Sequence, residues 1–206
     1  RVTGADAGKY DIRYPETVDS DITQAAASIT ILPQKIAPLT YNREAQALVT
    51  AGETNVGFLV YSLDGTSFSP EIPTGTGAGT YTVYYKVEGT ADYTGAAGGE
   101  IDVVIAPKRI TPKIELSESS YVYDGSKKEP KITVKDGNTV IEEEQYTVAW
   151  AGTQGQTDAQ MLIAADTYTA TIETVTNGDY TFTATAKVVI AAATQDALKI
   201  TGKPER

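Results

Sequence analysis

The chain has 206 residues, a net charge of −10 at neutral pH, and neither cysteine nor histidine. It therefore has no disulfides, thiolate zinc sites or cysteine nucleophiles, and no imidazole for a Ser-His-Asp triad or a metal. The acidic balance argues against a nucleic-acid partner, because binding to phosphates needs clustered lysine and arginine. The sequence has no apolar run of about 18 residues, so it does not predict membrane insertion.

The composition favours strands over helices. Threonine, valine and isoleucine are abundant beside 13 tyrosines, whereas the chain has 3 phenylalanines and a single tryptophan. No methionine and no signal peptide precede Arg1, so we expect a segment of a longer protein.

Three stretches share the pattern Ala-Gly-x-Tyr or Ala-Asp-x-Tyr, in which x is any residue. They are AGKYDIRYPETVDSDITQA (7–25), AGTYTVYYKVEGTADYTGA (78–96) and ADTYTATIETVTNGDYTFT (165–183). In each copy this tyrosine lies twelve residues before a second hydrophobic residue. The pairs are Tyr10 and Ile22, Tyr81 and Tyr93, and Tyr168 and Tyr180. A fixed motif that recurs along a chain indicates a tandem array.

Each copy begins with a half-buried strand. In the second copy one face carries Tyr81, Val83, Tyr85 and Val87, and the other carries Thr80, Thr82, Tyr84 and Lys86. In the third copy Tyr168, Ala170 and Ile172 alternate with threonines. One register therefore serves the copies, as a sandwich strand with one wet face requires.

A second strand follows each motif: AASITIL (26–32), GEIDVVI (99–105) and TAKVVIA (185–191). We expect each pair of strands to close a unit. Two of these strands run into a shared I-x-P-x-K/R-I segment, at 31–36 with Pro33 and at 105–110 with Pro107. Proline ends a strand ladder and stiffens the chain, so both segments are predicted to be short domain junctions. The third junction, IAAATQDALKI, has no such proline.

Turn signals punctuate the remaining strands. Asn42, Asp64-Gly65, Asp124-Gly125 and Asn177-Gly178 are typical turn residues, and Asn177 is expected to take a positive φ. Trp150, which alternates with Val148, is predicted to anchor the core between two sheets. Helical periodicity is short everywhere, and residues 157–165 are the nearest candidate for a helix.

These elements predict an all-β fold of tandem immunoglobulin-like or fibronectin-III-like β-sandwiches arranged end to end. Residues 1–32 would supply the C-terminal strands of a preceding repeat. Complete sandwiches would follow at 33–108 and 109–192, and 193–206 would begin a following repeat or a tail.

The order P-L-T-Y-N … Y-S-L-D-G-T-S-F … T-Y-T-V-Y-Y-K-V-E-G … D-Y-T-G, together with Y-D-G-S … P-K-I-T-V-K-D-G … D-T-Y-T-A-T-I … N-G-D-Y-T, resembles bacterial immunoglobulin-like repeats. Among these it is most similar to the MBG-type and related Big-type repeats of large cell-surface proteins. The resemblance covers nearly the whole chain and implies an exported stalk or adhesin on the surface of a bacterium. It brings no catalytic residues with it.

Candidate binding sites are few. Tyr84 beside Lys86 on the outward face is a possible ligand surface for a sugar, with cross-strand packing as the alternative. The acidic run Glu142-Glu143-Glu144 is explained as a solvated segment, because neighbouring residues of an extended chain point apart and do not converge on calcium. A Lys113–Asn177 isopeptide bond is disfavoured, since turn chemistry already accounts for the asparagine. We expect no enzyme activity, cofactor or metal.

The sequence leaves three functions open. The first is a rigid extracellular spacer whose partners are the neighbouring repeats of the same chain. The second is an adhesin module that binds host glycan, mucin or a matrix or surface protein. The third is an accessory module of a secreted polysaccharide-degrading enzyme.

Overall fold

The computed structural model of the chain describes residues 22–157 and 161–194, together with Lys9. Strands make up nearly all of the regular structure there, and helix is almost absent; Glu143–Gln145 form a 3-10 turn. The all-β prediction is confirmed. Over the described ranges, no helix is long and apolar enough to cross a membrane. Tyr10 and most of the first motif copy lie outside the described residues, as do residues 195–206 of the predicted tail.

Residues 25–106, which we call unit 1, form ten strands around one four-stranded sheet. The sheet has the order β3-β10-β8-β6, in which β8 is antiparallel to both neighbours and β3 runs parallel to the end of β10. Three short pairs flank it: β1 with β9, β2 with β5, and β4 with β7. The strands are β1 (Ala25–Ala26), β2 (Ile29–Ile31), β3 (Leu39–Thr40), β4 (Gln46–Ala47), β5 (Glu53–Thr54), β6 (Leu59–Ser62), β7 (Thr74–Gly75), β8 (Gly79–Val87), β9 (Tyr93–Thr94) and β10 (Ala96–Ala106).

Residues 108–191, which we call unit 2, also contain a four-stranded sheet, together with a three-stranded sheet and the pair of β11 with β18. Their four-stranded sheet has the order β13-β19-β17-β16, and a three-stranded sheet has the order β12-β14-β15. The strands are β11 (Lys108–Arg109), β12 (Lys113–Leu116), β13 (Ser120–Val122), β14 (Ile132–Asp136), β15 (Thr139–Ile141), β16 (Tyr146–Gly152), β17 (Asp166–Thr174), β18 (Tyr180–Thr181) and β19 (Thr183–Ala191). Among the described residues, no strand pairing joins unit 1 to unit 2.

The predicted strand register is confirmed by burial. In β8, Val83 and Val87 are buried, and Tyr81 and Tyr85 pack against the same core cluster. In β17, Tyr168, Ala170 and Ile172 are fully buried, while the threonines between them are only half-buried. The alternation therefore places one side chain of every two in a hydrophobic core, as period-2 geometry requires.

The start of unit 1 differs from the sequence-based assignment. The AASITIL strand, expected to close a preceding repeat, pairs instead within unit 1: Ile29 and Ile31 lie opposite β5, and β1 lies beside β9. Alternation identifies a strand but not its partner, so the sequence could not predict this pairing. Pro33 is consequently buried inside unit 1, whereas Pro107 is the exposed residue between β10 and β11.

The predicted turns are present. Tyr61 and Ser69 exchange backbone hydrogen bonds of 2.7 and 2.9 Å across a loop that contains Asp64-Gly65. Gly65 has φ +72° and Asn177 has φ +61°, the left-handed conformation that glycine and asparagine tolerate best. The helix considered for 157–165 does not form in its described part, because residues 161–163 form turns.

Two carboxylates of unit 2 are held ionised by their surroundings. Burial raises the pKa of Asp166, but hydrogen bonds from the Thr153 hydroxyl and from backbone N–H groups outweigh it and lower the pKa to about 2. Hydrogen bonds from Lys113 and Lys135 lower the pKa of Glu115 to about 2 as well. Both groups therefore favour the fold in their charged form.

Candidate functional site

Among the residues that the structure describes, the carboxylates form no metal site. Within the described ranges, no three of them are grouped so that they could hold a metal ion. Glu142, Glu143 and Glu144 are all exposed. Glu142 precedes a 3-10 turn to which Glu143 and Glu144 belong, whereas the sequence predicted an extended segment. Lys113 is ion-paired with Glu115 at 2.9 Å.

Tyr84 and Lys86 lie on the outward face of β8, and both are partly covered by the 63–69 loop. The Lys86 ammonium lies 4.1 Å from the centroid of the Phe68 ring, a cation–π contact. A methyl group added at Gly65 would lie 3.5 Å from the Tyr84 ring, so the loop rests on that ring. The ligand role of Tyr84 and Lys86 stays a prediction, and a ligand there would compete with these contacts.

Trp150 packs against both hydrophobic clusters of unit 2, one around Ile172 and one around Tyr168. It is only half-buried, and Val148 on the same strand is 38% exposed. Trp150 therefore lies half-buried on the edge strand of its sheet, against a cluster to which both larger sheets of unit 2 contribute.

A set of polar contacts lies where unit 1 meets unit 2, a region that we call the joint. Strand β10 ends at Ala106 and β11 begins at Lys108, so Pro107 alone connects them. The chain is tied down on both sides of it. The N–H of Tyr41 donates to the carbonyl of Ala106 at 2.9 Å, and the N–H of Lys108 donates to the carbonyl of Asp179 at 2.9 Å.

Arg43 of unit 1 reaches across the joint to three side chains of unit 2. Its Nε donates to the Tyr180 hydroxyl at 2.9 Å, and its two terminal nitrogens donate to the Thr139 hydroxyl at 3.1 Å and to Asp136 Oδ2 at 3.2 Å. Lys108 forms an ion pair with the same Asp136 oxygen. Because the planar guanidinium holds its donors in a fixed geometry, these bonds fix both the distance and the orientation of Arg43.

Two tyrosine rings form the apolar part of the joint. Tyr41 and Tyr180 meet edge to face, with ring centroids 5.2 Å apart and an interplanar angle of 82°. Tyr41 packs against the cores of both units. Burial raises the pKa of the Tyr41 phenol, and the charge of Asp179 raises it further. The hydrogen bond to Tyr180 raises the pKa of Arg43. At neutral pH the phenol is therefore neutral and the guanidinium is charged.

Asp179 completes the joint from unit 2. Its carboxylate accepts a 2.7 Å hydrogen bond from the N–H of Ala78 in unit 1, and its own N–H donates to Gln145 at 2.9 Å. The neighbouring loop of unit 1 is fixed by Tyr81, whose hydroxyl donates to the Gly77 carbonyl at 2.9 Å. The joint thus combines an ion pair, hydrogen bonds and a ring contact.

The paired tyrosines of the sequence motif lie at opposite ends of a unit. Tyr81 is near the end of unit 1 that faces the joint, and Tyr93 pairs with Ala25 at the far end. In unit 2, Tyr180 is at the joint and Tyr168 is at the far end, beside Val188 near the end of β19. Of the first copy, only Lys9 and residues 22–25 are described, and Ile22 is 98% exposed.

The sequence did not reveal Arg43, Asp136 or Asp179 as members of one site. Arg43 is 93 residues from Asp136 and 137 from Tyr180, and no local pattern links such positions. One signal was available, because an aspartate precedes Tyr93 just as Asp179 precedes Tyr180. Compared with known proteins, the chain matches no family model, no curated protein and no solved structure.

Proposed function

We propose that the chain is a non-catalytic, rigid spacer made of tandem immunoglobulin-like β-sandwich units, in the extracellular part of a bacterial surface protein. The observation that carries this proposal is the joint. A linker of one proline and a guanidinium bonded to Tyr180, Thr139 and Asp136 restrict rotation between the units.

The dimensions support the same function. Strands β8 and β17 each have nine residues, which corresponds to about 30 Å of length per unit. Because the chain leaves unit 1 at Ala106 and continues in unit 2 at Lys108, the units add their lengths along the chain. The adhesive alternative depends on Tyr84 and Lys86, but the ring of Tyr84 and the ammonium of Lys86 are already in contact with the 63–69 loop.

Distances between spin labels test the rigidity directly. The chain has no cysteine, so labels can be placed by the exposed substitutions Glu88→Cys in unit 1 and Lys127→Cys in unit 2. We expect a distance distribution as narrow as that of a reference pair inside unit 1, Glu88→Cys with Thr76→Cys. The matched control carries a Gly-Ser insertion after Pro107 and should give a broad distribution.

The spacer proposal would be refuted if the labelled chain without the insertion gave a distance distribution as broad as that of the insertion variant. Binding to an array of glycans, mucins and matrix proteins provides the complementary measurement. Saturable binding that Tyr84→Ala abolishes would favour the adhesin function instead.

A further inference from the structure

Strand β16 forms one edge of the four-stranded sheet of unit 2, and among the described residues it pairs with β17 alone. The N–H of Val175 donates to the carbonyl of Gln145 at 3.1 Å, so the backbone of Gln145 faces β17. Backbone groups alternate in direction along an antiparallel strand, so Val148 and Trp150 turn their N–H and carbonyl groups away from β17. The outer edge of β16 is therefore a row of hydrogen-bonding groups that a further strand can complete.

Unit 1 covers the corresponding edge with its own chain. Tyr61 of β6 and Val148 of β16 occupy the same position, because each lies opposite the residue four places after the first motif tyrosine of its unit. The outward backbone groups of Tyr61 are bonded to Ser69, and every residue of β6 is buried. Val148 has no such bond within the described ranges and is 38% exposed, and Thr147 and Ala149 are exposed as well. The edge that unit 1 covers is open in unit 2.

Strand β16 also lacks the features that protect exposed edge strands from pairing, which are short length, charge, proline and bulges. It has seven residues in continuous register with β17, and residues 145–157 contain no charged residue and no proline. Val148 and Trp150 lie opposite the buried Ile172 and Ala170, so their side chains point to the core side of the sheet. Both line an open depression of about 380 Å³ beside residues 130–132. A strand added at this edge would cover apolar side chains as well as backbone groups.

We infer that β16 pairs antiparallel with β16 of a second copy of this chain, about a twofold axis at Ala149. In this register Val148 of each copy lies opposite Trp150 of the other. Tyr146 likewise lies opposite Gly152, so all of β16 is paired. The outward N–H and carbonyl groups of Val148 and Trp150 bond to each other, and each valine meets an aromatic ring, a favourable cross-strand pair. Such an isologous contact closes on itself as a dimer.

The distribution of charge fits a second copy in this orientation. Each chain carries a net charge of −10, so like carboxylates must not meet if two copies are to pair. The antiparallel register places Glu142, Glu143 and Glu144 of each copy at the end where the other copy has the uncharged residues 154–156. A parallel arrangement would bring the two acidic runs together. The paired strands therefore place no charge opposite a like charge.

The pairing goes beyond the proposed spacer function and does not depend on it. Because the paired strands run antiparallel, the two chains point in opposite directions. One consequence does rest on the proposed function: if the spacer projects from a cell surface, the dimer would join chains that project from facing surfaces.

Sedimentation equilibrium of the full chain and two variants tests the dimer. Val148→Lys places a charge within the pair. Val122→Lys is the matched control, because β13 is the opposite edge of the same sheet and Val122 is 62% exposed there. We expect the unmodified chain and Val122→Lys to dimerise at about 1 mM or below, and Val148→Lys to stay monomeric. Both valines are exposed, and circular dichroism checks that each variant is folded.

Cysteine cross-linking tests the register, since the chain has no cysteine of its own. Ala149 lies opposite itself at the axis, in a non-hydrogen-bonded pair with Cα atoms about 4.5 Å apart, which a disulfide can bridge. Ala151, also exposed, lies about 13 Å along the pair from its counterpart. With oxidised glutathione, Ala149→Cys should therefore form a covalent dimer and Ala151→Cys should not.

The inference would be overturned by a chain that stays monomeric at about 1 mM, which would leave the edge to a strand of another protein. A dimer that survives Val148→Lys, or that Val122→Lys disrupts as strongly, would place the contact elsewhere and overturn it as well. Equal cross-linking of Ala149→Cys and Ala151→Cys would contradict the twofold register.

Discussion

Removal of the Arg43 side chain should weaken the joint without harming either core. Its hydrogen bond to the Tyr180 hydroxyl is 2.9 Å long, and because the charged Arg43 side chain is 37% exposed, the bond is worth about 1 kcal/mol, less than one from a buried charged donor. The ion pair with Asp136 is partly solvated, with side chains 37% and 19% exposed, so it adds no more than about 0.5 kcal/mol. We therefore expect Arg43→Ala to lower the free energy of unfolding by about 1.5 kcal/mol.

A double-mutant cycle isolates the bond across the joint. Tyr180→Phe removes the hydroxyl but keeps the ring that Tyr41 contacts. Urea unfolding of the single and double variants should give a coupling energy of about 1 kcal/mol between Arg43 and the Tyr180 hydroxyl. Arg109→Ala, an exposed arginine on neighbouring β11, is the charge-matched control. A coupling energy below about 0.3 kcal/mol would show that the arginine does not hold the units together.

Three further predictions concern the fold. Val188 is fully buried and Val189 is 41% exposed on the same strand, so Val188→Ala should cost about 2 kcal/mol and Val189→Ala less than about 0.5 kcal/mol in urea unfolding; equal losses would contradict the register of β19. Asn177 has φ +61°, so Asn177→Ala should lower the melting temperature by the equivalent of about 1 kcal/mol while Asn177→Gly is neutral; a neutral alanine would rule out strain there. The pKa values of Glu115 and Asp166 are lowered to about 2 in the fold. Since the unfolded carboxyls bind protons first, stability should be intact above pH of about 4 and fall as the pH drops toward about 2, measured by urea unfolding at fixed ionic strength. A flat pH profile in that window would mean that these carboxylates are not held as described.

The sequence predicted the parts of the fold that depend on neighbouring residues. Period-2 alternation identified the buried faces of β8 and β17, and Asp64-Gly65 and Asn177 identified turns, because both signals act over a few residues. Strand partners were less accessible. The segment before Pro33 alternates as a strand should, yet its partner β5 lies more than twenty residues away. The joint was missed for the same reason, since Arg43 and Tyr180 are brought together only by the packing of two folded units.

The twelve-residue spacing of the motif follows from the geometry of a unit. Tyr81 and Tyr168 are each the third residue of a nine-residue strand, and that strand carries the chain about 30 Å from one end of the unit to the other. The second tyrosine then lies beside the first strand of its unit, as Tyr93 does beside Ala25. One residue more or less within the strand would turn one tyrosine to the opposite face, since side chains alternate. The rest of the strand and a loop of equal length in both units, 88–92 and 175–179, make up the spacing of twelve. Successive first tyrosines are accordingly 71 and 87 residues apart, while the spacing inside each copy is unchanged.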